Sequence, residues 1–166
     1  MNAAYNPEPW HDFAIMIGGA TAALAGLLVV AMSINVREIL GGKGLPDRAA
    51  GALIAMATPL IVAVVLLIPD QSAAALGWEL LAICVVVGVT LPRLNRPDRL
   101  PPERPLGQWL VGTAVPIGVL LLALLVAGIG LLATRGGGLY WLPISVVAAI
   151  LFGLLQAWVL LIEILR

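Results

Sequence analysis

Long apolar runs, separated by short polar or proline-rich segments, alternate along almost the whole chain. A helix needs about 20 mainly apolar residues to cross a hydrocarbon core of about 30 Å. Five runs reach that length, and residues that favour turns separate them. The predicted spans cover residues 13–36, 48–68, 73–91, 108–134 and 140–165. The pattern therefore predicts an all-α fold class: a polytopic membrane helix bundle with five transmembrane helices, in a single integral membrane domain over residues 1–166.

The basic residues lie almost entirely at one end of this predicted bundle. An odd number of spans puts the two termini on opposite sides of the membrane. Eight of the nine bases then share a side, in the first loop, in the Pro/Arg-rich loop 93–107 and at the C-terminus, and Arg135 alone lies on the other. Because basic loops stay in the cytoplasm, we expect the N-terminus outside, the C-terminus inside and loop 93–107 in the cytoplasm.

The first predicted helix carries closely spaced small residues. Gly18, Ala22 and Gly26 recur every four residues, with Gly19 and Ala23 beside them. Helices gain nothing from hydrophobicity when they meet in lipid, so small residues stabilise a contact by letting two backbones approach closely. We expect these five residues to form a helix-packing face. A seam within one bundle, a contact between subunits and a pore-lining face are the open alternatives.

One carboxylate lies inside an apolar span. Glu79 follows Ser72, a favourable helix N-cap, by about two turns, or roughly 10 Å at 1.5 Å per residue. An acid at that depth turns toward the protein, meets water or pairs with a base. Arg135 is the one base predicted at that end, so we expect it to be the partner. Glu79 is either such an interfacial carboxylate or a cation or proton site.

Polar side chains also cluster at the opposite end. Asn35, Arg37 and Glu38 close the first predicted helix. Gln156 and Glu163 lie seven residues apart in the fifth and therefore share a face. These groups form either an interhelical polar lock, for example between Glu163 and Arg37, or the mouth of a pore in an oligomer.

Pro59 lies near the middle of the second predicted span. A proline inside a helix donates no backbone hydrogen bond, so the carbonyl four residues earlier, that of Ala55, loses its donor. We expect the Thr58 hydroxyl to satisfy that carbonyl in part, as Ser and Thr side chains do in membrane helices. Pro116 is placed in the same way in the fourth span, and both prolines are expected to bend their helices.

Composition supports a membrane location and limits the kinds of functional site that the chain can form. Hydrophobic residues make up 61% of the chain and charged residues 11%, against about 45–50% and about 25% in soluble domains. The nine bases balance the nine acids, which argues against a nucleic-acid partner. Cys84 is the single cysteine, so no internal disulfide or CxxC site can form. Nucleophile–base pairs, phosphate loops and metal-ligand spacing are also lacking, so we expect no enzymatic activity, no cofactor and no metal.

Several longer stretches form recognisable motifs: WHDF, GGATAALAGLLVVAMSINVREIL, LIPDQSAAALGWEL, GGLYWLPI and AWVLLIEILR. In these motifs, and over nearly its whole length, the chain resembles a group of small actinobacterial multi-pass membrane proteins. Members of that group are often labelled modulators of the membrane protease FtsH. The resemblance implies a protein of the bacterial plasma membrane that regulates the turnover of other membrane proteins, and it implies no particular site residue.

The sequence therefore predicts a non-enzymatic integral membrane protein with an accessory or regulatory role, acting through helix–helix contacts with itself or with other membrane proteins. Its expected partners are the lipid bilayer, a second copy and a membrane-protein partner. The alternative is a homo-oligomeric channel for small cations. In that alternative the mouths are an acidic rim on one side and the ends of the first or fifth helix on the other: Glu8, Asp12, Asp70 and Glu79, and Asn35 with Glu38 or Gln156 with Glu163.

Overall fold

A computed structural model of the chain describes residues 3–42, 44–96 and 106–164, without the side chains of residues 106, 108, 163 and 164. This part of the chain is helical and holds five helices that are long and apolar enough to cross a membrane, which confirms the predicted fold class. The helices are α1 (His11–Ile34), α2 (Val36–Gly41), α3 (Leu45–Leu66), α4 (Ala73–Leu94), α5 (Leu106–Trp109), α6 (Val115–Ala133) and α7 (Leu142–Ile164), with 3-10 turns at Glu8–Trp10 and Gly138–Trp141 and a π-helical turn at Leu110–Ala114.

Four of the long helices close a ring. Helix α3 packs against α4 and α7, and α6 packs against the same two helices from the other side. Fully buried leucines and a phenylalanine fill the interior of the ring: Leu76, Leu80, Leu120, Leu124 and Phe152. Helix α1 lies outside the ring against α3, with a minor contact to α7. The bundle is therefore four helices around one core, with a fifth helix attached to one side.

Glycines set the closest helix crossings in the ring. A Cβ atom on Gly77 of α4 would lie 3.1 Å from the carbonyl oxygen of Gly128 in α6, and one on Gly128 would lie 2.8 Å from Cγ of Leu81. At the α3–α7 crossing, a Cβ atom on Gly153 would lie 3.1 Å from Cγ of Met56. The first of these crossings joins the early part of α4 to the late part of α6, so these two helices run antiparallel.

The two ends of the bundle differ in charge. Helices α1, α4 and α7 begin at one end, and α3 and α6 begin at the other. The first we call the acidic end, for four carboxylates: Glu8, Asp12, Asp70 and Glu79. The second we call the basic end, because the basic loops join it. Residues 97–105 of the predicted Pro/Arg-rich loop lie outside the described residues.

The two prolines differ in their surroundings. Helix α3 continues through Pro59, and the Thr58 hydroxyl donates to the carbonyl of Ile54 at 2.8 Å. The predicted bond to Ala55 is therefore wrong, because a threonine hydroxyl in a helix reaches back to the carbonyl four residues before it. Pro116 lies in the first turn of α6, directly after the π-helical turn, whose wider spacing takes up the irregularity that the proline imposes.

Candidate functional site

The five small residues of α1 lie in two environments, one against α3 and one with open space beside it. A Cβ atom on Gly18 would lie 3.3 Å from Cβ of Ala63 in α3. Cβ atoms on Gly19 and Gly26 would meet no described atom within 4 Å. The intramolecular seam therefore includes Gly18, while the other four small residues face away from the ring. We call these four exposed residues the α1 stripe: Gly19, Ala22, Ala23 and Gly26.

Larger side chains decide which side of α1 faces the ring. Ile17, Thr21 and Leu28 are buried, and their spacing of four and seven residues places them on one face of the helix. The Thr21 hydroxyl donates to the carbonyl of Ile17 at 2.6 Å, so its burial leaves no unpaired donor. Residues two positions further on, such as Gly19, lie about 200° around the helix and point away from α3.

Glu79 is hydrogen-bonded to a side-chain amide rather than paired with a base. Its carboxylate accepts a hydrogen bond of 2.5 Å from Nε2 of Gln71, and the side chain is half-buried. The predicted N-cap at Ser72 is confirmed, since its hydroxyl accepts from the N–H of Ala75 at 3.2 Å. The other amide atom, Oε1 of Gln71, is buried and meets no hydrogen-bond donor among the described residues.

The predicted pairing of Glu79 with Arg135 is wrong for the described structure. Arg135 is exposed, and its side chain forms no ion pair with the carboxylate. The cause is the backbone after α6, where Thr134 and Gly136 both take left-handed conformations with φ of 52° and 77°. The chain turns out of the helix at these residues and carries the guanidinium into solvent, so Gln71, much nearer in the chain, supplies the donor instead.

A buried polar junction joins helices of the ring near the basic end. Nε2 of Gln156 donates to Oδ1 of Asn95 at 2.7 Å, and Nδ2 of Asn95 donates to the carbonyl of Leu91 at 2.9 Å. The indole N–H of Trp109 donates to the backbone carbonyl of Asn95 at 3.1 Å. Gly51 of α3 leaves room for this junction, because a Cβ atom there would lie 3.0 Å from Nδ2 of Asn95.

The other predicted residues of that end do not join this junction. Asn35 is partly buried and donates to the carbonyl of Ala31, within its own helix, at 2.9 Å. Arg37 and Glu38 are exposed. The side chain of Glu163 lies outside the described residues, and so does the predicted lock between it and Arg37.

Asn95 is the residue that the sequence reasoning missed. The predicted helix ended at Leu91 because Pro92 follows it, whereas α4 continues to Leu94 with Pro92 in its last turn. Asn95 is the C-cap residue, and its N–H donates to the carbonyl of Leu91 at 3.1 Å. An asparagine just after a helix is a usable signal of a C-terminal cap, but it does not reveal the contact with Gln156.

The N-terminal residues dock on the loop between α6 and α7. The N–H of Leu139 donates to the carbonyl of Ala4 at 2.9 Å, and Ala4 is buried. The indole N–H of Trp10 donates to the carbonyl of Ala3 at 2.8 Å, and its ring meets that of Tyr140 edge-on with centroids 5.3 Å apart. Residues 3–10 are therefore fixed to the acidic end of the ring.

Taken together, the spans and these sites define the class of the protein as a multi-pass helical membrane protein. Comparison of the chain with known protein families, with curated proteins and with solved structures gives no match. Three polar or open features remain as candidates for function. They are the α1 stripe, the Gln71–Glu79 pair at the acidic end and the Asn95–Gln156 junction near the basic end.

Proposed function

We propose that this protein is a non-enzymatic accessory or regulatory protein of the bacterial plasma membrane that acts by associating, through the α1 stripe, with a second copy or with another membrane protein. The observation that carries the proposal is the open space beside Gly19 and Gly26, where no described atom lies within 4 Å of a Cβ position. Small residues on a lipid-facing helix are where a second backbone approaches most closely.

The rest of the bundle supports this interpretation by contrast. At Gly51, Gly77 and Gly153 in α3, α4 and α7, a Cβ atom would lie close to a neighbouring side chain or backbone. The chain therefore places glycines in these helices where its own elements meet. The two open glycines of α1 have the same chemistry without an intramolecular partner, and an intermolecular helix would supply one.

The position of α1 also favours association. Because α1 packs on the ring almost entirely through α3, its opposite side is accessible along the whole span. We also propose that the N-terminus lies outside the cell and the C-terminus inside. This orientation places the basic end in the cytoplasm, where basic loops are retained. A membrane-embedded partner agrees with the resemblance to modulators of a membrane protease.

Substitution in the α1 stripe tests the proposal. Leucine at Gly19 or Gly26 would hold a second backbone away, so we expect Gly19→Leu and Gly26→Leu to weaken self-association in liposomes about tenfold. A tenfold change equals about 1.4 kcal/mol. Energy transfer between donor- and acceptor-labelled copies at a fixed lipid ratio measures the association.

Gly118 of α6 provides the matched control. It too is exposed with open space beside it, but a leucine, Leu122, rather than a small residue follows four positions later. Gly118→Leu should leave energy transfer unchanged. If wild-type copies do not associate, a photo-crosslinking side chain at Ala22 should capture a membrane protein in native membranes. Equal crosslinking from position 118 would contradict a role for the stripe.

The Gln71–Glu79 pair favours a second candidate, the homo-oligomeric cation channel. A half-buried carboxylate beside a buried, unpaired amide oxygen offers two acceptors to a cation, and the exposed Glu8, Asp12 and Asp70 lie at the same end. Leucines and Phe152 fill the ring, so a conduction path would run between copies. Cation flux into liposomes that falls on Glu79→Gln substitution would support the channel, and absence of wild-type flux would exclude it.

A further inference from the structure

An apolar groove of about 370 Å³ opens between the last turns of α1, helix α2 and the first turns of α3. Val29, Val36 and Leu40 line it on one side, and Ala50 and Leu53 line it on the other. Ser33 is the polar exception, but its hydroxyl donates to the carbonyl of Val29 at 2.7 Å. The groove therefore presents an almost wholly apolar surface.

The shape of the groove follows from the sizes of its side chains. Alanines on the α3 side, Ala49 and Ala50, form a low floor, and Ala49 is buried. Large side chains on the α1–α2 side form a raised rim, where Val36 is 47% and Leu40 is 71% exposed. The helix is interrupted at Asn35, where α1 gives way to α2. These features make a groove that is low on its α3 side and raised on its α1–α2 side.

Charged groups stand at the basic end of the groove. Arg37 is exposed and lies three residues from Leu40 on the same face of α2. Its side chain makes no hydrogen bond or ion pair with any residue that the structure describes. In the sequence of residues 37–48 three bases outnumber two acids, so this stretch carries a net charge of +1: Arg37, Lys43 and Arg48 against Glu38 and Asp47. A guanidinium binds phosphate oxygens through paired N–H donors.

The length of the groove suits the first part of a lipid chain. Its lining on α3 runs from Pro46 to Leu53, about 10 Å at 1.5 Å per residue. One leaflet of the hydrocarbon core is about 15 Å deep. An acyl chain is thinner than a packed helix, which is about 10–12 Å wide with its side chains, so the raised rim at Val36 and Leu40 favours an acyl chain over a helix as the occupant.

We propose that this groove binds one acyl chain of an anionic phospholipid, whose headgroup phosphate is held by Arg37. The apolar floor takes the chain, and the exposed guanidinium at the end of the groove selects the charged headgroup. This site does not rest on the association proposed above, because its lining residues are not those of the α1 stripe.

Native mass spectrometry of the purified full chain tests the site. The probes are phosphatidylglycerol and phosphatidylcholine with identical acyl chains. We expect wild-type protein to retain one phosphatidylglycerol in preference to phosphatidylcholine. Arg37→Gln should lower phosphatidylglycerol occupancy about fivefold, which corresponds to about 1 kcal/mol for one base near the membrane surface. Ala50→Phe should fill the groove and lower the occupancy of both lipids.

Arg135→Gln is the matched control, since it removes an exposed arginine at the acidic end. It should leave the lipid preference unchanged. Equal retention of the two lipids by wild-type protein, or undiminished phosphatidylglycerol binding by Arg37→Gln, would overturn the proposal. Loss of self-association by Ala50→Phe with full lipid retention would assign the groove to a second copy and would also overturn it. Arg37→Gln changes an exposed residue, so the test stands if Ala50→Phe fails to fold.

Discussion

Gln156 donates a hydrogen bond of 2.7 Å to Asn95 although 61 residues separate the two positions. Both side chains are buried. This bond gives Nε2 of Gln156 an acceptor and Oδ1 of Asn95 a donor. The bond ties the second half of α7 to the end of α4. Through the backbone carbonyl of Asn95 it also reaches Trp109, just before α6.

Gln156→Leu should lower the free energy of unfolding by about 1–2 kcal/mol, because Oδ1 of Asn95 loses its donor while remaining buried. Unfolding by titration with a denaturing detergent measures the change. A double-mutant cycle with Asn95→Ala should show a coupling of about 0.6 kcal/mol, the mean for such pairs in a membrane protein. Fully additive effects would show that the bond contributes no stability of its own.

Gly128→Ala should destabilise the bundle by about 1–3 kcal/mol, the cost of overpacking a close contact. A Cβ atom there would lie 3.0 Å from the carbonyl oxygen of Gly77, and a backbone atom cannot move aside as a flexible side chain can. The same detergent titration measures the effect. Gly118→Ala is the matched control in the same helix. It should be neutral or stabilise by up to about 1 kcal/mol, because alanine is the better helix former.

Gly138→Ala should release the N-terminal residues from the α6–α7 loop. The position has φ of 46°, and an added Cβ would collide with the carbonyl oxygen of Ala4. Hydrogen exchange at the N–H of Leu139 should accelerate strongly, since its bond to Ala4 would be lost. Gly136→Ala separates the effect of backbone strain from the effect of the collision with Ala4. It has φ of 77° but open space, so it should cost about 1–2 kcal/mol of backbone strain and leave that bond in place.

The orientation of the protein in the membrane can be measured directly by cysteine labelling. In a Cys84→Ser background, a cysteine at Asp70 should react with an impermeant thiol reagent added outside intact cells, because Asp70 is exposed at the acidic end. A cysteine at Arg99, which lies outside the described residues, should react only after the membrane is opened. The reverse pattern of labelling would place the basic loops outside and contradict the positive-inside expectation.

The five spans could be predicted from the sequence because crossing a membrane is a local requirement of length and apolarity. The role of the small residues in α1 could be predicted only in part. Spacing places Gly18 and Gly19 side by side, but the fit of Ile17, Thr21 and Leu28 against α3 decides which of them is covered. That fit depends on the side chains of α3, so it cannot be predicted from the pattern of α1 alone.

The polar contacts were harder to predict for a related reason. Charge attraction favoured Arg135 as the partner of Glu79, but the left-handed turn after α6 carries that arginine away. Gln71 meets the carboxylate instead, because it precedes the N-cap and folds back along the start of α4. The Asn95–Gln156 contact joins distant parts of the chain, so no local pattern reveals it.

The docked N-terminus has a consequence for α1. This helix is attached to the ring along α3, and the bond between Ala4 and Leu139 fastens its beginning to the loop between α6 and α7 as well. A helix held at two places loses little further freedom when a partner binds, so more of the contact energy remains as affinity. Residues 3–10 thus preorganise a surface that begins about two and a half turns further along α1, at Gly19.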